Sequence, residues 1–402
     1  MAKNLESLTR AVRIGWRNPN LIHTLIRMDY RHRWGIERDR KLRPGFSAPP
    51  TNLAICLTYR CNLRCAMCRQ WRRDQDVPDN RPWYERHNEL SLATWISLLD
   101  QVKSFHPWVY VTGGEPMISP NFRGFIQAAR QRGLVVQVQT NGTLLAKEAE
   151  FLVRAGVLAV SISLDGTPEV HDSIRGVKGT FRRLSEGVAA LQAARARLNS
   201  PTPVLGFNCT ISKGNLHALP DIALLVIDMQ ADSLQLQHTM FNSKENVLRH
   251  NAIFSPEWVD KMGLDMALPS IREGGYYQSE IGPEDIPRLQ ESLNEARAVA
   301  KDRLKLLYMP KIPDKLLEAY YLDLKYPFVQ DCDAFWKTLR VAPDGTVSSC
   351  LNIKAGNVAQ ESFREIWNGP KMQTIRRLFS KHLFPGCARC CQRHYLKGSR
   401  AF

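Results

Sequence analysis

From Thr51 onward, short apolar runs alternate with longer stretches of helical period. Strand-like runs rich in Val, Ile, Leu or aromatic residues fall at 51–58, 108–113, 135–139, 158–164, 204–211 and 233–238. Apolar positions at helical spacing fill the gaps, over 91–105, 120–132, 146–155, 180–197 and 215–230. Six strands alternating with helices predict right-handed βαβ crossovers and a parallel sheet. The fold class is α/β. Length and regularity favour a partial (β/α)6 TIM-like barrel over an open doubly wound sheet, although periodicity alone does not separate the two. In either, chemistry belongs at the C-terminal ends of the strands.

The flanks differ from this alternation. Residues 1–50 read as a basic helical extension, with Leu21, Ile22, Leu25 and Ile26 at helical spacing. Such a stripe is expected to pack on its own domain, with a surface-bound helix as the other option. Pro44, Pro49 and Pro50 end it. Residues 51–254 then form the barrel. Residues 255–330 read as a helical connector, with helices near 256–268 and 287–302. Residues 331–402 are cysteine-rich, with a hairpin at Leu339–Cys350 around the turn Pro343-Asp344-Gly345 and a helix near 361–379. These features predict a small metal-stabilised domain.

The net charge of +16 sits almost wholly at the two ends. Residues 1–50 carry +7 and residues 371–402 carry +8. Basic ends suit an anionic membrane surface, nucleic acid or a phosphorylated substrate. They also offset the negative charge of cysteine-ligated clusters. No basic–aromatic module is present, so no specific nucleic acid is predicted. No apolar run reaches the roughly 18 residues of a membrane span, and the first residues lack a secretory pattern. A cytoplasmic location is expected, with peripheral attachment to a membrane allowed.

The chain has 10 cysteines. Cys56 and Cys209 lie in apolar strands and read as buried structural thiols. Cys61, Cys65 and Cys68 follow the first strand directly in TYRCNLRCAMCRQW. Thiolates are the usual ligands of iron–sulfur clusters. Three of them leave one iron of a four-iron cluster open, and the alternative is a zinc site. Three further motifs follow in order at strand ends: Val111-Thr112-Gly113-Gly114-Glu115-Pro116, Gln139-Thr140-Asn141-Gly142, and Ser161 to Gly166 running on to Arg175.

This set resembles the radical S-adenosylmethionine (SAM) superfamily. The resemblance implies that the three cysteines hold a [4Fe–4S] cluster whose open iron binds SAM. Met67, Gly113, Gly114, Glu115, Asn141, Ser163, Asp165 and Arg175 are then the expected SAM-binding residues. Met67 departs from the family, where an aromatic residue is usual. Glu115 is expected to receive the SAM amino group, and Arg175 the carboxylate together with Ser163. The run SLDGTPEVHDSIRG and the pattern of Cys332, Cys350, Cys387 and Cys390 resemble relatives with a C-terminal SPASM or twitch extension. That implies an auxiliary [4Fe–4S] cluster on those four cysteines, with Cys391 as a substitute ligand. The twitch form with one cluster fits best, and structural zinc is the alternative.

The implied activity is reductive cleavage of SAM to a 5′-deoxyadenosyl radical that takes hydrogen from a substrate. An oxidoreductase or epimerase acting on a sugar, nucleotide or related small molecule is the leading expectation, with Cys209 as hydrogen donor in an epimerase. Maturation of a ribosomal peptide, a lipid-modifying enzyme at a membrane, and a zinc-containing RNA-binding protein are the alternatives. A reductant such as flavodoxin or ferredoxin is the expected partner. His238, Tyr276 and Tyr277 are substrate candidates that serve equally well as packing.

Overall fold

A computed structural model describes residues 12–16, 18–68, 89–241, 243–266, 279–323, 325–326, 328, 332–350, 353–380, 383, 387 and 389–390. All of its strands join one sheet. The strands are β1 (Asn52–Cys56), β2 (Trp108–Thr112), β3 (Val135–Thr140), β4 (Ala159–Ser163), β5 (Val204–Ile211), β6 (Ser233–His238), β7 (Asp265–Met266), β8 (Lys305–Met309), β9 (Thr338–Val341), β10 (Thr346–Cys350) and β11 (Ile353–Asn357). Their order across the sheet is β7-β11-β10-β9-β1-β2-β3-β4-β5-β6-β8. Strands β1 to β6 are parallel and lie side by side in chain order, as the alternation predicts.

Burial alternates along these strands. Val109, Val111, Val136, Val138, Val160, Ile162, Phe207 and Leu236 are fully enclosed or nearly so. They form one core with helix residues such as Trp95, Phe125, Leu152, Leu191 and Ile222. Trp95 and Phe125 meet edge to face at 5.8 Å. Helix starts follow local chemistry: Ser91 caps the helix Leu92–Val102 by accepting from Thr94 N at 3.2 Å. The in-between strand positions carry Gln, Ser, Asn and aromatic residues. They form a second, polar face, called here the inner face.

Two parts of the sheet were not legible in advance. The 255–330 segment supplies β8, parallel to β6, and β7, antiparallel to β11, besides its helices, so the helix expected near 256–268 ends at Lys261. Five residues of KLLYM give too short an apolar run to tell strand from helix. At the other edge, β9 pairs in parallel with β1, and β10 and β11 continue the sheet antiparallel. The expected Leu339–Cys350 hairpin is therefore β9–β10. It is welded to the barrel's first strand, a pairing that no local pattern announces. The predicted helix at 361–379 is two helices, Phe363–Trp367 and Pro370–Phe379, because Pro370 starts a new one.

The N-terminal helix Leu21–Tyr30 docks the opposite way from expectation. Ile22 and Ile26 are 62% and 65% exposed, and Leu25 is exposed as well. The docked side is polar. Asn20 Nδ2 donates to Gly133 O at 2.9 Å, Thr24 Oγ1 to His106 O at 3.3 Å, and Arg27 to the carbonyls of Pro49 and Pro50. Arg31 is buried, pairs with Asp39 at 2.7 Å and reaches Trp336 O. Loop carbonyls at these positions need donors more than the core needs aliphatic groups.

Candidate functional site

The site begins where β1 ends. The loop that carries Cys61, Cys65 and Cys68 is held from two sides by backbone bonds. On one side, Gly114 N donates to Thr58 O and Glu115 N to Arg60 O, both at 2.8 Å. A Cβ on Gly114 would lie 2.2 Å from Arg60 O, so only glycine lets these strands' ends approach. On the other side, Arg64 N and Ala66 N donate to the carbonyls of Arg175 and Ile174 at 3.1 and 2.9 Å. Those carbonyls belong to the last turn of the helix Pro168–Arg175, where they have no partner within the helix. Gly176 follows at φ +72°, and a Cβ there would meet Arg64 O at 2.4 Å.

The thiols are half-buried, and N–H donors face two of them. Arg175 Nη1 lies 3.7 Å from Cys65 Sγ, and Asn141 Nδ2 lies 4.0 Å from Cys61 Sγ. Burial pushes the Cys61 thiol up to about 11 and raises that of Cys65 as well. Thiolates at these positions therefore need a bound cation to balance them, which iron provides. No group of three or more His, Cys, Asp or Glu among the described residues is arranged to hold a single metal ion. A donor set of three thiols with N–H groups aimed at two sulfurs fits a cluster that reaches each of them. Met67 lies in this loop, half-buried between the second and third thiols.

Arg175 is fixed by Asp165, which has no exposed surface. Burial lowers the guanidinium's proton affinity, but the adjacent Asp165 and Cys65 raise it further, so it stays charged. Asp165 Oδ1 also accepts from Thr210 N at 2.9 Å. Its carboxylate orients Arg175 rather than offering itself to a ligand. Neighbouring His171 accepts from Asp165 N at 3.1 Å, and burial lowers its pKa to about 3, so it is neutral scaffolding. Asp172 accepts from Gly179 N at 2.5 Å and Phe181 N at 2.8 Å, closing the turn into the helix Thr180–Arg197.

Glu115 is enclosed. Its oxygens accept from Met117 N at 3.2 Å, Thr140 Oγ1 at 2.9 Å and Asn141 N at 2.8 Å. These bonds tie the second-strand motif to the third. Burial nevertheless raises its pKa from 4.5 to about 7, and an ammonium group beside it would restore the ionised form. A carboxyl whose folded pKa is raised stabilises the fold below its unfolded value, and that stability is lost as pH climbs through the folded value. The loss amounts to about 3 kcal/mol between roughly pH 4.5 and 7. Unfolding midpoints measured across this window should show the decline, and Glu115→Gln should flatten it. An unchanged slope would place the carboxyl in contact with water.

Asn141 also donates to Asn62 Oδ1 at 2.9 Å, and Asn62 to Thr143 Oγ1 at 2.8 Å. Asn62 and Thr143 went unnoticed in the sequence because single polar residues in turns carry no period. A larger omission is the inner face. Tyr110 OH and Asn208 Nδ2 both donate to Gln139 Oε1, at 3.1 and 2.7 Å, and Gln139 Nε2 donates to Ser163 Oγ at 3.1 Å. One row below, Trp108 Nε1 donates to Gln137 Oε1 at 3.0 Å, and Gln137 Nε2 to Ser161 Oγ at 2.8 Å. These two polar ladders line a wall below the cysteine loop. The alternation of Gln with Val in VVQVQT was the available signal.

Two thiols exchange roles relative to expectation. Cys209 has no exposed surface and lies among the helix-facing apolar residues, with its thiol pushed well up by burial. From that face it cannot donate hydrogen to a substrate on the other. Cys56 is instead on the inner face, two residues beyond Ala54, which pairs with Tyr110. Burial pushes its thiol up to about 12. His238 is buried behind this wall, 2.6 Å from Tyr321 OH, and packs there. Tyr276 and Tyr277 lie outside the described residues.

The C-terminal cysteines are placed by a different logic. Strand β10 runs opposite to β9, so Cys350 at its end returns to the N-terminal ends of β1 and β9. Buried Cys332 leads through the helix Ala334–Lys337 into the start of β9, at the same end of the sheet. Cys387 and Cys390 flank Arg389, which is 1% exposed. Arg389 Nε donates to Tyr320 O at 2.6 Å, and its guanidinium stacks 4.7 Å over Phe328, in the segment leading to Cys332. Cys391 lies outside the described residues.

Comparison with known proteins agrees with this geometry. Residues 55–208 match the Radical SAM superfamily, and residues 332–391 match SPASM, an iron–sulfur cluster-binding domain. The chain is 31% identical to the AdoMet-dependent heme synthase of Nitratidesulfovibrio vulgaris, over 85% of this chain and 84% of that protein. It is 26% identical to the antilisterial bacteriocin subtilosin biosynthesis protein AlbA of Bacillus subtilis, over 87% of this chain and 68% of that one. Its fold is similar to that of Streptococcus suis SuiB bound to precursor peptide SuiA, with a TM-score of 0.59 at 15% identity, covering 89% of this chain and 75% of that one. The match at 332–391 names a SPASM domain where the spacing had favoured the twitch form. The chain belongs to the radical SAM superfamily and carries a C-terminal SPASM iron–sulfur domain, with SAM and iron–sulfur clusters as its cofactors.

Proposed function

We propose that this enzyme takes hydrogen from a tetrapyrrole of the heme-precursor class, held on the inner face. The observation that carries the reading is the likeness to a heme synthase along 85% of the chain. When bound, the cluster and SAM supply the 5′-deoxyadenosyl radical. The protein's residues do the rest. Cys61, Cys65 and Cys68 hold the cluster, Arg175 offers a cation beside Cys65, and the ladders on Gln137 and Gln139 orient what lies below. Cys332, Cys350, Cys387 and Cys390 would hold auxiliary iron, with Cys332 and Cys350 at the far end of the sheet from the first cluster. Two clusters at opposite ends of one wall suit a substrate that gives up an electron after losing hydrogen. A flavodoxin or ferredoxin would supply the reducing electron.

The expected sugar or nucleotide substrate has no counterpart in the relatives described above. Peptide maturation is the second reading, favoured by the likeness to AlbA over 87% of the chain. The exposed apolar side of the helix Leu21–Tyr30, within the basic residues 1–50, supports peripheral attachment to an anionic membrane. Among the described residues no helix is long and apolar enough to cross one.

The deciding experiment uses anaerobically reconstituted protein with SAM and dithionite. Iron coproporphyrin III, a tetrapyrrole with four propionates, should stimulate formation of 5′-deoxyadenosine and lose mass as it is converted. Stimulation by a peptide alone would transfer the enzyme to the second reading.

A further inference from the structure

The inner face is built almost wholly from neutral groups. Its amides and hydroxyls satisfy one another in the two ladders, so they position a ligand without demanding charge. Lys354 of β11 shares this face, exposed on the far side of Ser348, and the half-buried cation nearest the ladders is Arg340. It lies on β9, where Leu339 and Val341 are buried on the helix side and Arg340 is half-buried on the other. The register sets Arg340 level with Ala54 and Ala54 level with Tyr110. Its charge acts on both the Tyr110 phenol and the Cys56 thiol.

Arg340 makes no side-chain hydrogen bond and no ion pair among the described residues. The nearby acids are engaged elsewhere. Glu89 accepts from Thr58 Oγ1 at 2.6 Å and Tyr59 N at 3.1 Å, and Asp344 accepts from Thr346 N at 3.0 Å. A half-buried guanidinium without a partner among the described residues forgoes the stabilisation that a carboxylate would give. The other enclosed arginines among the described residues are partnered: Arg31 by Asp39, Arg175 by Asp165, Arg376 by three oxygens, and Arg389 by backbone carbonyls.

We propose that Arg340 binds a carboxylate of the substrate and so fixes which end of it faces the cysteine loop. Arg340 lies two residues, about 7 Å, toward the N-terminal side of Cys56, the last residue of β1. A ligand anchored there extends along the ladders toward Cys61, Cys65 and Cys68, with its acid group held away from them. Ser348 of β10 pairs with Arg340 and bounds the anchor on its other side. The inference rests on the tetrapyrrole reading only for the identity of the acid, which would be a propionate.

The test separates the two claims. With reconstituted enzyme, absorbance titration should show iron coproporphyrin III binding at least about tenfold more tightly than its tetramethyl ester, the equivalent of one charge-assisted pair. Arg340→Gln should abolish that preference, and Arg340→Lys should keep part of it. Equal affinity of acid and ester for the wild type, or a preference that survives Arg340→Gln, overturns the proposal. If neither porphyrin binds, the tetrapyrrole reading fails, and the anchor is decided by a second arm. Propionate, but not neutral propionamide, should slow phenylglyoxal modification of Arg340 several-fold, read by peptide mass spectrometry. Equal rates with the two compounds overturn it whatever the porphyrins do.

Discussion

Cys65→Ala should reduce SAM cleavage to the level of protein-free controls, while Cys350→Ala should leave cleavage running and stop productive turnover. The contrast follows from where the sheet puts the two residues. Cys65 lies in the loop after β1, with Arg175 at 3.7 Å. Two thiols cannot hold a four-iron cluster open at one iron only, so loss of the middle ligand removes the group that binds SAM. Cys350 ends β10 and comes back to the opposite end of the sheet. Its removal cannot disturb the loop directly. It should instead remove auxiliary iron and strand the reaction after the first hydrogen transfer. Iron and sulfide analysis, 5′-deoxyadenosine and substrate product would be measured on each variant. Cleavage by Cys65→Ala above control, or full product formation by Cys350→Ala, would break the assignment of the respective site.

The six parallel strands were legible because each is a complete signal, an apolar run bounded by turns and followed by a helix. The site motifs were legible because cysteines, paired glycines and a buried acid are costly residues confined to few purposes. What remained hidden has a common cause. The union of β1 with β9 joins residues almost three hundred positions apart, and nothing local encodes it. The inner face escaped for a subtler reason. Gln137, Gln139, Ser161 and Asn208 are ordinary polar residues, and only the register turns them into two ladders. The same register moved Cys209 to the helix side and Cys56 to the ligand side. A one-residue difference in strand phase decides which thiol sees a substrate. Ile22 and Ile26 misled in the reverse sense, since a helical stripe predicts a buried side only when the partner surface is apolar.

Arg175→Gln should destabilise the fold by about 3–5 kcal/mol, the usual cost of leaving a buried charge without its partner. Asp165 has no exposed surface, so water cannot replace the guanidinium. The carboxylate's remaining support is the 2.9 Å bond from Thr210 N. Adding Asp165→Asn should recover part of the loss, because it removes the stranded charge, and a double-mutant cycle on denaturant midpoints measures the coupling. A loss below about 1 kcal/mol would mean that the pair is hydrated and does not order the site. The substitution also carries a functional signature. A positive charge beside the Cys65 sulfur favours the more negative, reduced state of a cluster bound there. Arg175→Gln should therefore shift the midpoint potential to more negative values and slow SAM cleavage with dithionite, even in preparations matched for folded fraction and iron. An unshifted potential would confine Arg175 to holding the loop through Asp165, with Cys65 outside the reach of its charge.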